Sequence, residues 1–150
     1  MESKENPIHF ISIDILNNEH IILLFEHLKK KSFPISHKNL PSFDEHKEFV
    51  LTSPYRFWFL VKNNGQDLGN CFISYQNCIG LNVITNKKDD YAMILEKIFK
   101  EFSPLPAIKS IRTESFHVNS IPQNRLLKEA LISFKMDLLE ETYIKRESAI

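Results

Sequence analysis

Residues 56–85 read RFWFLVKNNGQDLGNCFISYQNCIGLNVIT, and the fold turns on how this stretch is read. Its opening, Arg56 to Val61, is aromatic and branched and is bounded by Asn63-Asn64-Gly65, the composition of a strand entering a tight hairpin turn. Leu68 to Tyr75 is the returning partner, a second turn falls near Gln76-Asn77, and CIGLNVIT supplies a third strand, so the stretch predicts a three-stranded antiparallel meander. Side chains alternate along a strand, so Phe57 and Phe59 face away from Trp58 and at least one of these aromatic sets is buried.

Upstream, Ile8 to Ile15 suggests a first strand with Ile11, Ile13 and Ile15 on one side. A helix follows, capped by Asn17 or Asn18, with Ile21, Leu24, Phe25 and Leu28 at helical spacing before Lys29-Lys30-Lys31, where cations complement the carbonyl end. Two prolines shape the loop SFPISHKNLP. Ser42 and Glu45 then form a capping box that opens a short helix through about Leu51, and Pro54 stops it.

Downstream, Tyr91, Ile94, Leu95, Ile98 and Phe102 recur at three- and four-residue steps and predict an amphipathic helix over Asp89–Phe102, with acids at its start. The remaining expectations are a strand over Ile108–Val118, a helix over Pro122–Ser133 and a final strand over Asp137–Arg146.

The chain of 150 residues fits one domain with one core, and its 43% hydrophobic and 25% charged content is that of an ordinary globular protein. Lys+Arg and Asp+Glu are balanced at 19 each, which disfavours nucleic acid or an anionic membrane surface as partner. No stretch approaches the roughly 20 apolar residues of a membrane span, and MESKENP lacks the apolar centre of a signal peptide, so the expected location is the cytoplasm. Cys71 and Cys78 lack metal-type spacing and read as reduced structural thiols. There is no Gly-x-Ser-x-Gly elbow, P-loop or HExxH, which excludes the common hydrolase and metalloenzyme signatures. Glu140 and Glu141 are neighbours on the expected last strand, so they point to opposite faces and cannot act as an acid/base pair.

The order strand, helix, helix, three-strand meander, helix, strand, helix, strand resembles the GNAT superfamily of N-acetyltransferases. Three local strings carry the resemblance, which runs from about His37 to the C-terminus. PSFDEHKEFV followed by SPYRFWFLV is similar to a bacterial subgroup, several members of which are associated with amino-sugar modification. DLGNCFISYQNCIGLNVI matches that subgroup's paired strands, with Gly69 and Gly80 at the expected places. SIPQNRLLKEALISFKM resembles a later motif, with Asn124 near the helix start but Ser133-Phe134 in place of Gly-Phe. The resemblance implies an α/β fold of the α+β kind, a mainly antiparallel central sheet flanked by helices and splayed between its fourth and fifth strands. It also implies acetyl-CoA as acyl donor, its pantetheine arm bonding backbone groups of Asn82, Val83 and Ile84 left without a sheet partner. One of those amides can also stabilise the oxyanion formed when an amine attacks.

Such proteins hold the cofactor's pyrophosphate in a glycine-rich loop after the fourth strand, since glycine lets backbone amides approach the phosphates at a helix start. Here the loop reads NKKDDYAMIL. Ala92 is an acceptable small residue and Tyr91 lies beside it, but Lys88 and Asp90 stand where glycines belong, and Lys87 substitutes for the usual basic residue. Asp89 and Asp90 bring negative charge to the same amides, either as ordinary helix-start acids or as fillers of the anion site. The outcomes left open are weak binding rescued by Lys87 and Lys88, a different donor, or no transfer.

Acetyl transfer needs a base for the acceptor amine and an acid for the leaving thiolate. His117, near the end of the expected fifth strand, and His46 and His37, on the helix and loop that would wall the acceptor pocket, are candidate bases, each with an ordinary structural role as the alternative. The usual tyrosine acid is missing, since Leu126 and Leu127 occupy the comparable positions, and Tyr143 is the remaining substitute. His37, Tyr55 and Trp58 are placed on the acceptor side, where aromatic faces suit a sugar ring, although core packing competes for the aromatics. The expectation is direct transfer to a small amine, without metal, with a homodimer compatible with it. The rival is a GNAT-like domain that has lost catalysis and serves as a binding or assembly module. The acyl group is not fixed by the sequence.

Overall fold

In the computed structural model, residues 6–31 and 40–145 are described; His37 and Arg146 lie outside them. The described chain forms β1 (Ile8–Ser12), α1 (Asn18–Lys29), α2 (Phe43–Leu51), β2 (Tyr55–Asn63), β3 (Gln66–Ser74), β4 (Cys78–Val83), α3 (Lys88–Glu101), β5 (His117–Val118) and α4 (Arg125–Ser133). The five strands lie side by side in chain order in a mixed sheet, antiparallel from β1 to β4, with β5 parallel to β4.

The predicted meander is present, and two backbone features refine it. Asn64 and Gly65 both have positive φ in the β2–β3 turn. At Gly69, φ is +125° and the pairing shifts register, so that Leu68 turns into the same core as Cys71 and Ile73. A Cβ at Gly69 would overlap the Asn82 carbonyl oxygen on β4, which ties this glycine to the β3–β4 pairing.

Each face of the sheet has its own core. Phe59, Val61, Cys71, Ile73, Ile79 and Val83 pack under α3 and α4, which contribute Tyr91, Ile94, Leu95, Ile98, Leu127 and Ala130. On the opposite face Leu60 meets Ile21 and Leu24 of α1 and Val50 of α2, with Trp58 packed alongside. The alternation of Phe57 and Phe59 against Trp58 therefore holds: the two phenylalanines lie over Phe102 on the first face.

The caps are as read. Asn17 accepts from the Glu19 amide, and Ser42 Oγ accepts from the Glu45 amide at 3.2 Å while donating to the Glu45 carboxylate.

Four expectations are corrected. The first strand ends at Ser12, because Asp14 closes an Asx turn onto Leu16; Ile11 and Ile15 are exposed, and Ile8 and Phe10 face the core instead. The fifth strand is two residues long, and only an isolated bridge joins Ile108 to Arg112 before it. The last helix starts at Arg125, capped by the Asn124 side chain, three residues after Pro122. Residues 137–145 form no strand, since so short a β5 offers almost no ladder to pair with, and Leu138, Leu139, Tyr143 and Ile144 are exposed. No helix is long and apolar enough to cross a membrane among the described residues.

Candidate functional site

A break in the alternation of β2 gathers the aromatic residues of the acceptor side. Strict alternation would put Tyr55 and Trp58, three residues apart, on opposite faces. The register shift between Tyr55 and Phe57 brings them onto one face, in edge contact at 5.0 Å. Tyr55 stacks on Phe72 at 3.7 Å, and Phe49 of α2 closes on both Tyr55 and Trp58. Phe72 can lie across β4 because its neighbour there is Gly80, where any Cβ would strike the ring. A cleft of about 260 Å³ opens beside this group, lined by Ser12, Ile13, Leu51, Ser53, Tyr55 and Trp58, with Arg56 supplying the lining's one charge.

Beneath Trp58 runs a buried polar chain that sequence reasoning missed. Trp58 Nε1 donates to Asn70 Oδ1 at 3.1 Å, Asn70 Nδ2 meets His27 Nδ1 at 3.0 Å, and His27 Nε2 meets Asp67 Oδ2 at 2.7 Å. The donors fix every direction. Indole is a donor only, so it must face the amide oxygen; the amide NH2 then faces Nδ1, which must accept; the proton of His27 is therefore on Nε2, donated to Asp67. A second proton on Nδ1 would oppose two donors, so the His27–Asp67 contact is a hydrogen bond from a neutral ring rather than an ion pair. Burial likewise lowers the His27 pKa, outweighing the opposing pull of Asp67. The signal was available: His27 continues the Ile21, Leu24 stripe at helical spacing.

The turn between β3 and β4 places the fifth strand. Asn77, fully buried with φ +67°, donates from Nδ2 to the carbonyls of Leu105 and Thr113 and accepts from the Leu105 amide at 2.7 Å. Its own carbonyl accepts from the His117 amide at 3.0 Å. Arg112 adds bonds to the carbonyls of Pro106 and Tyr75. These bonds hold the connecting loop onto the turn, and with the Thr113 carbonyl taken by Asn77 and Ile108 bridged to Arg112, the loop ahead of His117 is drawn away from a ladder with β4. His117 is half-buried and sits beside Cys78 in the parallel register, with Asn119 Nδ2 3.7 Å from the Cys78 sulfur. Burial raises the pKa of both the Cys78 thiol and the Tyr55 hydroxyl, and Cys78 in its thiolate form would raise that of Tyr55 further. Tyr55, Cys78 and His117 thus share one end of the sheet.

Past Ile79 and Val118, β4 and β5 no longer pair. The three residues expected to offer free backbone, Asn82 and Val83 of β4 and Ile84 just after it, are not equivalent. The Ile84 amide is bonded to the Leu68 carbonyl at 2.9 Å, and alternation turns Asn82 toward β3 as well, so the groups facing away from β3 are those of Leu81 and Val83. The Val83 carbonyl accepts from the Asn86 amide, closing the turn into α3. There Asn86, at φ +47°, accepts from the Tyr91 hydroxyl at 2.8 Å; Tyr91 in turn accepts from Asn124 Nδ2 at 3.1 Å, and Asn124 caps α4. Two expected residues, Tyr91 and Asn124, are therefore bonded to each other and join the starts of α3 and α4. Ala92 is half-buried against the core, and Lys87 and Lys88 are exposed. Asp90 is buried, its carboxylate accepting from Thr85 Oγ1 at 2.5 Å.

Comparison with protein-family models, curated proteins and solved structures gives no match to this chain. The geometry therefore stands by itself. Of the remaining expected site residues, His46 is buried between α1 and α2, its Nε2 2.9 Å from the Ile21 carbonyl and its ring against Phe25, and burial lowers its pKa. Its ring joins two helices and is not part of the cleft beside Tyr55 and Trp58. Tyr143 is exposed on the segment after α4 and donates to Glu141, which raises its pKa. His37 is outside the described residues. Among the described residues no group of three or more His, Cys, Asp or Glu is placed to hold a metal ion.

Proposed function

We propose that this chain is a GNAT-like N-acyltransferase that acylates a small amine, in the first instance an amino sugar, by direct attack on a thioester such as acetyl-CoA. The observation that carries the reading is the β4–β5 junction: a parallel pair only two residues long, beyond which Leu81 and Val83 direct backbone groups away from β3. An extended amide-bearing arm can pair with such an edge as a strand would. Of acetyl-CoA, the pantetheine arm fits these groups. The pyrophosphate fits less well, because the loop after β4 has no glycine and holds a buried carboxylate.

Acetyl-CoA supplies an activated acyl group. The amine nitrogen forms the new N–C bond, the C–S bond breaks, a proton leaves the amine and the thiolate is left to take one up. His117, at the junction, is the base candidate, and an outward N–H of Leu81 or Val83 is suited to the developing oxyanion. The cleft beside Tyr55 and Trp58 offers aromatic surface and the hydroxyls of Ser12 and Ser53 to the acceptor. A second reading, a non-catalytic binding module, is favoured by Asp90, whose carboxylate lies at the helix start where a phosphate would go, and by the exposed position of Tyr143.

Titration calorimetry with acetyl-CoA, followed by an assay of thiol release in the presence of amino sugars, separates the two. Saturable binding and amine-dependent thiol release support the transferase. No heat up to millimolar ligand transfers the conclusion to the binding module.

A further inference from the structure

The turn between β4 and α3 is closed by its own side chains. Asn86 bonds back to the Val83 carbonyl through its amide and to the Tyr91 hydroxyl through its side chain, and Thr85 donates to the buried Asp90 carboxylate. Asp90 is the third residue of α3, where an acidic side chain offsets the positive end of the helix. Its own amide and that of Tyr91 both bond the Lys87 carbonyl, so they are not free to meet a ligand. The chain's three glycines are Gly65, Gly69 and Gly80, all in the meander, so every residue of this turn carries a Cβ that holds a ligand away from the backbone. Lys87 and Lys88 are exposed and are matched by Asp89 and Asp90, leaving no net positive charge over these four residues.

A pyrophosphate needs close backbone amides and a surplus of positive charge. The loop has no surplus charge, two of its helix-start amides are already bonded, and no glycine opens the others to close approach, while on β4 the outward groups of Leu81 and the Val83 amide have no backbone partner among the described residues. Resting on the acyl-transfer reading above, we infer that the donor is recognised through its pantetheine half alone, so that the natural acyl donor is a pantetheine thioester whose nucleotide, if present, is not gripped. The substrate class is thus an acyl-pantetheine rather than an acyl nucleotide.

The test is calorimetry of the full chain with acetyl-CoA, acetyl-pantetheine and adenosine 3′,5′-bisphosphate. The expected result is dissociation constants for the two thioesters within about tenfold of each other, equivalent to about 1.4 kcal/mol, and no heat from the nucleotide alone. Acetyl-CoA binding more than about tenfold tighter than acetyl-pantetheine, or heat from the nucleotide, overturns the inference while leaving acyl transfer standing. Silence from both thioesters sinks the acyl-transfer reading and this inference with it. As a second readout, Asp90→Asn keeps an oxygen for Thr85 and removes the charge; it should tighten acetyl-CoA and leave acetyl-pantetheine unchanged. An equal effect on both ligands would remove the carboxylate from the account.

Discussion

Replacing Asn77 should detach the fifth strand. Its side chain makes three hydrogen bonds of 2.7 to 3.0 Å at a fully buried site, and its carbonyl holds the His117 amide. Asn77→Gly removes the side-chain bonds but accommodates the φ of +67° without strain. Leaving the Leu105 and Thr113 groups without partners costs about 1–3 kcal/mol for each one that water cannot reach, so a total loss of about 3 kcal/mol is expected. For a domain of this size that lowers Tm by roughly 6–12 °C. Asn77→Ala adds a Cβ in the left-handed region and should cost about 1 kcal/mol more than glycine. Urea unfolding gives the free energies, and hydrogen exchange over residues 105–118 reports whether the loop opens. A glycine variant less than about 1 kcal/mol below the parent, with unchanged exchange in this loop, would refute the idea that Asn77 places β5.

Three further outcomes are expected. Burial lowers the pKa of both His27 and His46, so the folded chain resists protonation while the unfolded chain protonates near pH 6.5; the unfolded state then binds more protons, and stability should be full above about pH 6.5 and fall below it. Unfolding free energies that stay flat between pH 7.5 and 5 would contradict this. Gly69→Ala, which meets the Asn82 carbonyl at a φ of +125°, should lose more than about 3 kcal/mol or fail to fold, whereas Gly65→Ala has open space and only its positive φ to accommodate, costing about 1 kcal/mol. Equal losses in thermal melts would show that contact with β4 is not the constraint. Lys87→Ala with Lys88→Ala should change the acetyl-CoA dissociation constant by no more than about threefold, because exposed cations are screened and matched; a larger loss by calorimetry returns the phosphates to the loop.

Much of the fold was legible because its signals are local. Asn64-Gly65 marks a hairpin, Ser42 with Glu45 caps a helix, and Ile94, Leu95 and Ile98 fall on one helical stripe whatever lies opposite. The site was legible in part. Tyr91 and Asn124 were singled out separately, and the structure bonds them to each other. His27 was overlooked because its partners, Asp67 and Asn70, are 40 and 43 residues away. His46 was singled out as a base because a histidine in a helix looks alike in sequence whether it meets solvent or, as here, a backbone carbonyl in the core. The last strand was expected because DLLEETYIKR has strand composition, but composition supplies no partner.

By itself, the sequence determined the meander, the caps, the amphipathic stripes and the absence of glycine after β4, since each depends on residues close together in the chain. Only the tertiary structure decided that β2 slips register to set Tyr55 beside Trp58, that Asn77 holds the loop ahead of the fifth strand, whose pairing starts at His117, and that Asp90 turns inward to Thr85. Those outcomes depend on hydrogen-bond partners that distant segments deliver, and a buried polar group takes whichever partner the packed chain brings within reach.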